Sequence, residues 1–291
     1  MTAVVLLILT VICWGWTFVA TKICLGYLSP VEVMGLRLLI GLPVMLVIIL
    51  ARGIKFDFKG HGKALGLGAG ILTVHFLIQV TGIKYTSATN TGWIIASIPL
   101  VTAVLAYVIL KERIGRNVII GIMIATIGIL LLISKGHIFN FQWLTSIGDW
   151  LILGSAFTWA FYTVATRDLV RACNPLTATF MMLLAPAIIG LVLMIFLSDW
   201  QKFLHLPLDA ILSLLFLGIL GTSLAHWFWQ VGVARLGAAK AGIFLYLEPM
   251  ATTALAVPYL HESFGFYTAI GGLLVLTGVS LAQRRTRLKP L

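Results

Sequence analysis

Residues 81–115 read TGIKYTSATNTGWIIASIPLVTAVLAYVILKERIG, and residues 231–265 read VGVARLGAAKAGIFLYLEPMATTALAVPYLHESFG. The two stretches align without a gap at an offset of 150. Gly82 falls on Gly232, Ala88 on Ala238, Gly92 on Gly242 and Pro99 on Pro249. Thr102 falls on Thr252, Glu112 on Glu262 and Gly115 on Gly265, and the register holds through Gly121/Gly271 and Gly128/Gly278. Upstream, at an offset of 145, Trp14 falls on Trp159, Val19-Ala20-Thr21-Lys22 on Val164-Ala165-Thr166-Arg167, and Pro30 on Pro175. Small apolar residues coincide easily in apolar helices. Pro, Trp, Glu and Gly in constant register do not. The chain is read as one unit written twice, over 1–137 and 138–291.

The composition says what kind of unit this is. Of 291 residues, 60% are apolar and only 10% charged, against about a quarter charged in a soluble domain. The mean hydropathy is +1.08. These values exclude a soluble enzyme, a disordered chain and a disulfide scaffold. A membrane-crossing helix needs about 20 apolar residues. Charges, prolines and polar clusters bracket ten such runs: Thr2–Ile23, Pro30–Ala51, Lys63–Ile83, Ser87–Leu110, Gly115–Ser134, Ser146–Arg167, Pro175–Leu197, Leu208–Ala234, Ala238–Leu260 and Gly265–Gln283. The first run lacks the basic flank and small-residue cleavage site of a signal peptide, so it is read as a true span.

The net charge of +11 has no basic domain to carry it. It follows the positive-inside rule instead, and no nucleic-acid partner is expected. With the N-terminus inside, fifteen of the 20 Lys and Arg fall on the inner side. Only Lys22, Lys84, Lys135 and Lys202 fall outside, and Arg37 lies within a span. Both termini are therefore expected in the cytoplasm. Five spans per repeat is an odd number, so the second unit enters the membrane upside down. The expected fold is all-α and integral to the membrane, ten transmembrane helices in two inverted five-helix repeats. That is an architecture of secondary transporters, with the site at the repeat interface near the midplane. Cys13, Cys24 and Cys173 show no CxxC and no ligand spacing, so no disulfide and no metal are expected. No GxxxxGK[ST] is present, which argues against ATP drive.

The residues quoted above carry a resemblance. Each long segment has a small-residue entry, a mid-helix Pro and a terminal Glu, in Leu110-Lys111-Glu112-Arg113 and Leu260-His261-Glu262-Ser263. With Arg37 following Pro30 in the second span, and glycine-rich fifth and tenth spans, the chain resembles the drug/metabolite transporter superfamily with EamA-type repeats. Ser263 departs from the Arg more usual there. The resemblance implies transport across the cytoplasmic membrane, and says little about substrate.

Ionisable groups inside a span cost several kcal/mol and mark function by default. Arg37 lies about 10 Å deeper than Pro30 at 1.5 Å per residue. It either holds a substrate carboxylate or braces a carbonyl network. Glu248 sits mid-span before Pro249, where a carboxylate suits proton coupling, a substrate ammonium or a pair with Arg37. Pro99 and Pro249 remove a helix bond and act as kinks or as hinges of alternating access. Glu32 is read as a solvated rim residue, and Glu112 and Glu262 as complements to the dipoles of the helices that follow them. The glycine rows Gly66-x-Gly68-x-Gly70, Gly121-x-x-x-Ala125 and Gly271-Gly272 are read as packing devices.

His75-Phe76-Leu77-Ile78-Gln79 and His226-Trp227-Phe228-Trp229-Gln230 each place His and Gln on one helix face. Imidazole and amide groups there line a pocket or satisfy the core. Trp143, Trp150 and Trp200 fit an interfacial belt. Trp14, Trp93 and Trp159 lie deeper, with Tyr162 and Tyr246 near them, and suit flat apolar groups and cations. By resemblance to the aromatic amino-acid exporters of the superfamily, whose cavity is lined by Trp and His, the matching positions are Trp14, His75, Trp93 and Trp159.

The expected substrate-binding set is Trp14, Arg37, His75, Gln79, Trp93, Trp159, Tyr162, His226 and Tyr246, with Glu248 for coupling and Pro99 and Pro249 as hinges. The expected function is a secondary transporter, foremost an exporter of amino acids including aromatic ones. Its partners are a small-molecule substrate, membrane lipid and protons, with no cofactor. Amines, nucleobases, sugar derivatives and drugs are the alternative cargoes. Phosphorylated ones would want several central cations, and only Arg37 qualifies. A membrane transferase would need clustered acids, a metal set or a nucleophile with its base, and the sequence offers no such set.

Overall fold

The computed structural model describes residues 2–112, 114–134, 146–260 and 266–283, and every regular element among them is helical. Six helices among the described residues are long and apolar enough to cross a membrane: Ala3–Cys24, Pro30–Ala51, Gly62–Tyr85, Ala88–Leu110, Pro175–Leu197 and Leu208–Leu236. Large apolar side chains such as Val47, Leu50, Val108, Phe196 and Leu273 point outward along the bundle. In water such a surface would aggregate; it suits lipid tails.

Local chemistry sets the helix ends. α1 spans Thr2–Cys24 and α2 spans Pro30–Ala51. Ser29 and Glu32 open α2 with a capping box: Glu32 N–H donates to Ser29 Oγ at 3.4 Å, and Ser29 N–H to Glu32 Oε2 at 2.7 Å. Pro30 at the first helical position loses no bond. α3 covers Gly62–Tyr85. α7 (Ile147–Ala172) repeats the capping box with Ser146 and Asp149, and extends a turn past Arg167, where the sequence reading ended it. α8 covers Pro175–Leu197.

The apolar run Ala88–Leu110 is not one helix. It divides into α4 (Ala88–Ile95) and α5 (Ile98–Leu110). Pro99 has no N–H, and its ring clashes with the carbonyl four residues back. The chain responds with tighter turns: Ala96 N–H donates to Trp93 O and Ser97 N–H to Ile94 O, both at 3.1 Å. After α6 (Arg116–Ser134), α7 and α8, the same event recurs 150 residues on. There α11 (Ala238–Gly242) passes through a 3-10 turn at Ile243–Leu247 into α12 (Glu248–Leu260), with Pro249 at the junction. The run Leu208–Leu236 also departs from a plain helix. α9 (Leu208–Phe216) widens into a π-helical segment, Leu217–Leu224, before α10 (Ala225–Leu236). α13 (Phe266–Gln283) closes the described chain.

α6 and α13 pack as a pair, α3 packs on α7 and α8, and α1 packs on α10 and α12. Close backbone approach needs missing side chains. A Cβ on Gly121 would sit 2.5 Å from Gly278 O, and one on Gly128 2.7 Å from Gly271 O. Of the Gly66-x-Gly68-x-Gly70 row, only Gly68 packs, against Met182 and Thr166; Gly66 and Gly70 meet nothing within 4 Å. The main core joins α1, α2, α3, α7, α8 and α10, and a second cluster lies between α6, α13 and the 3-10 turn.

Two acids differ from the sequence reading. Glu32 is 1% exposed, bonded to Ser29 and ion-paired to Lys202 Nζ at 2.6 Å, so it lies on no solvated rim. Glu112 does not serve α6, the helix that follows it. Lys111 leaves α5 with φ 52°, which swings Glu112 across to the second half. There it pairs with Arg167 Nε at 3.2 Å and accepts from the N–H groups of Ala238 and Ala239, at 3.4 Å each. Gly237, at φ 87°, makes room for it; a Cβ there would lie 3.0 Å from Glu112 Oε1. Glu262, Ser263, Trp143 and the 137/138 boundary lie outside the described residues.

Candidate functional site

The π-helical segment builds the site. Its wider turns carry backbone bonds five residues apart, such as Ala225 N–H to Leu220 O. The Gly221 carbonyl is thereby offered inward. Trp14 Nε1 donates to it at 3.0 Å, and His226 Nδ1 lies 3.0 Å from it. The next residue, Thr222, accepts from Arg37 Nε at 2.9 Å. One segment thus fixes an indole from α1, an imidazole from α10 and a guanidinium from α2.

Around that anchor the aromatic rings close up. Trp14 and Trp159 meet edge to face at 4.9 Å. His226 stacks on Phe76 at 5.7 Å and lies 5.2 Å from Trp14. His75 stands 5.0 Å from Trp159, with Nδ1 within 3.1 Å of Ser155 O and 3.2 Å of Thr158 Oγ1. Arg37 lies over the Phe76 ring at 5.2 Å. Edge-to-face pairs contribute about 0.5–1.5 kcal/mol each beyond their buried area, so the cage is firm without a ligand.

These groups line a cavity of about 30 Å³, room for one or two waters. Trp14, Arg37, His75, Gln79, Trp159, His226 and Glu248 all line it. Arg37 and Glu248 are each 3% exposed. Among the described residues neither forms an ion pair, and the Glu248 carboxylate has no hydrogen-bond donor. A buried charge outside an ion pair is expensive, and it is compensated by neutralisation, by another charge or by a ligand. Trp159 Nε1 is also buried without an acceptor among the described residues.

The other expected residues lie apart from the cavity lining. Tyr162 stands one layer behind, 5.3 Å from Trp159, its hydroxyl accepting from Gln230 Nε2 at 2.6 Å. Tyr246 points to α6, where its hydroxyl bonds Thr126 Oγ1 at 2.8 Å, and Trp93 packs on the same cluster. Pro99 and Pro249 set the helix breaks and meet glycines from the other half of the chain: Cβ atoms on Gly242 and Gly92 would lie 3.8 and 3.7 Å from their Cα atoms. The sequence reading did not single out Gly221, Thr222, Phe76, Thr17, Phe18, Ile95, Ile98 or Leu245. Only Gly221-Thr222-Ser223, a polar break in an apolar run, offered a signal.

Known proteins share this arrangement of the chain. The sequence model of the EamA-like transporter family matches residues 1–134 and 146–283. The "Uncharacterized transporter YyaM" of Bacillus subtilis is 30% identical over 273 residues, covering 92% of this chain and 89% of its own. The "Probable amino-acid metabolite efflux pump" of Salmonella typhimurium is 25% identical, over 94% of this chain and 92% of its own. A solved crystal structure superposes with a TM-score of 0.80 over 97% of this chain and 98% of its own, at 21% identity, and so shares the fold. Since the family model matches both halves and a relative at 30% identity runs along most of both chains, this multi-pass membrane protein belongs to the EamA-like transporter family.

Proposed function

We propose that the protein exports amino acids, aromatic ones among them, by alternating access across the cytoplasmic membrane. The observation that carries this reading is one cavity holding both an Arg and a Glu, each buried and neither ion-paired among the described residues. Arg37 takes a carboxylate through its terminal nitrogens, while Thr222 and Phe76 hold the rest of the guanidinium. Glu248 takes an ammonium or a proton, and exchange of one for the other couples export to proton entry. Trp14, His75, Trp159 and His226 wall the side chain, with Gln79 beside them; Tyr162 supports Trp159 from behind. Trp93 and Tyr246 belong to the moving wall beyond the helix breaks, and Pro99 and Pro249 are its hinges. Among the relatives, one is named an amino-acid metabolite efflux pump, and one from Streptantibioticus cattleyicolor a terminal-alkyne amino-acid exporter.

The architecture of the proposal is ten spans in two inverted five-helix repeats, 1–137 and 138–291, with both termini cytoplasmic. Reciprocal contacts support it. Gly92 meets Thr252 and Pro249; Gly242 meets Thr102 and Pro99, the same residues shifted by 150. α3 packs on α7 as α1 packs on α10, and α5 on α7 as α1 on α12. A cavity of about 30 Å³ must widen to admit an amino acid, which two units working in opposite senses allow.

Counterflow in proteoliposomes loaded with aromatic, aliphatic and hydroxy amino acids tests the reading. Protein-dependent accumulation of labelled Phe is the expected result. No accumulation by folded protein, with uptake of an aromatic amine instead, would overturn the amino-acid assignment and leave Glu248 as the cation site.

A further inference from the structure

Where α5, α7 and α10 end and α11 begins, a pocket of about 260 Å³ opens beside Glu112. Its cations come from separate elements: Arg167 and Arg171 from the last turns of α7, Lys240 from α11. Arg167 is committed, to Glu112 and to the carboxylate of Asp168. Arg171 and Lys240 are not. Arg171 Nε donates to Ala234 O at 3.2 Å, which orients the guanidinium and leaves its terminal nitrogens without a partner among the described residues. Lys240 has no ion pair or hydrogen bond among them. Arg171 and Lys240 thus line one pocket whose only carboxylate among the described residues, Glu112, is engaged with Arg167 and the start of α11.

The opposite wall is apolar, made by Ile114, Val118 and Leu236. Helix ends mark the height at which lipid headgroups begin, and the excess of Lys and Arg in the chain's inner loops places this edge on the cytoplasmic leaflet. A basic pocket between helices at that level, with one greasy wall, matches a lipid phosphate with its glycerol and first methylenes. We propose that this pocket binds the phosphate of an anionic phospholipid, bridging Arg171 and Lys240. The headgroup then adds a second tie between α7 and α11, across the seam that Glu112 already fastens. The seat is separate from the central cavity and independent of what that cavity carries.

The test uses purified full-length protein in phosphatidylcholine nanodiscs, with or without a minor fraction of phosphatidylglycerol. The readouts are the unfolding midpoint and the lipid retained in native mass spectrometry. Phosphatidylglycerol should raise the midpoint of the wild-type protein. Arg171→Gln and Lys240→Gln should each weaken its retention about fivefold. Both positions are exposed, so folding is spared. Lys63→Gln, an exposed cation outside the pocket, should change nothing. The proposal falls if both variants retain phosphatidylglycerol like wild type, or if the two lipids protect equally. It also falls if inorganic phosphate in detergent gives the same protection, which would make the pocket a free-anion site.

Discussion

Arg37 reaches its working position through a hydroxyl. The Thr222 Oγ1 bond at 2.9 Å and the Phe76 ring at 5.2 Å leave the guanidinium little freedom. A hydrogen bond to a charged group is worth about 1.5–3 kcal/mol. Thr222→Val should therefore raise the half-saturating Phe concentration in counterflow by about 10- to 100-fold, and Thr222→Ser should restore it. Glu248→Gln keeps the shape and removes the carboxylate; exchange should persist only at a raised half-saturating Phe concentration, while accumulation driven by a pH gradient is lost. A Gln variant that still concentrates Phe along that gradient would remove Glu248 from coupling. Arg37 and Glu248 were legible in the sequence because a charge inside an apolar run has few explanations. His75 and Gln79 were legible by their four-residue spacing, and both line the cavity. Tyr246 is expected beside the deep tryptophans, but its hydroxyl is on Thr126, away from the cavity lining. Thr222 was hidden because its importance comes from a widened turn.

Helix breaks and helix contacts follow different sequence signals. Proline announces a break, so the interruptions before Pro99 and Pro249 were foreseeable as kinks. The π-helical segment was not, since LGILGTSL suits α and π turns alike and only the surrounding contacts choose. Glycine rows were read as packing devices, yet spacing cannot say which members touch a neighbour. The structure makes a graded prediction here. Gly121→Val would push a side chain into Gly278 O, 2.5 Å from the new Cβ, and should cost about 1–3 kcal/mol. Gly70→Val faces open space and should leave the unfolding midpoint in detergent nearly unchanged. Equal shifts in the two variants would sink this account of how α6 and α13 associate.

Glu112 fastens the first half of the chain to the second, through Arg167 and the start of α11. Partly exposed pairs contribute about 0.2–1 kcal/mol. Glu112→Gln should thus favour opening on that side by up to about fivefold, and Gly237→Ala, which crowds the carboxylate, should act alike. An Ile98→Cys substitution at the cavity wall, in a chain without Cys13, Cys24 and Cys173, reports the opening as faster labelling by a reagent added on the Glu112 side. Unchanged labelling in both variants would show that the tie holds nothing shut. The reverse property, tightness, follows from the size of the central cavity. A cell that stores energy as a proton gradient loses it through any unbroken thread of water. A void of about 30 Å³, lined by indole, phenyl and imidazole rings together with Arg37 and Glu248, has room for one or two waters, so the central cavity by itself supplies no such thread.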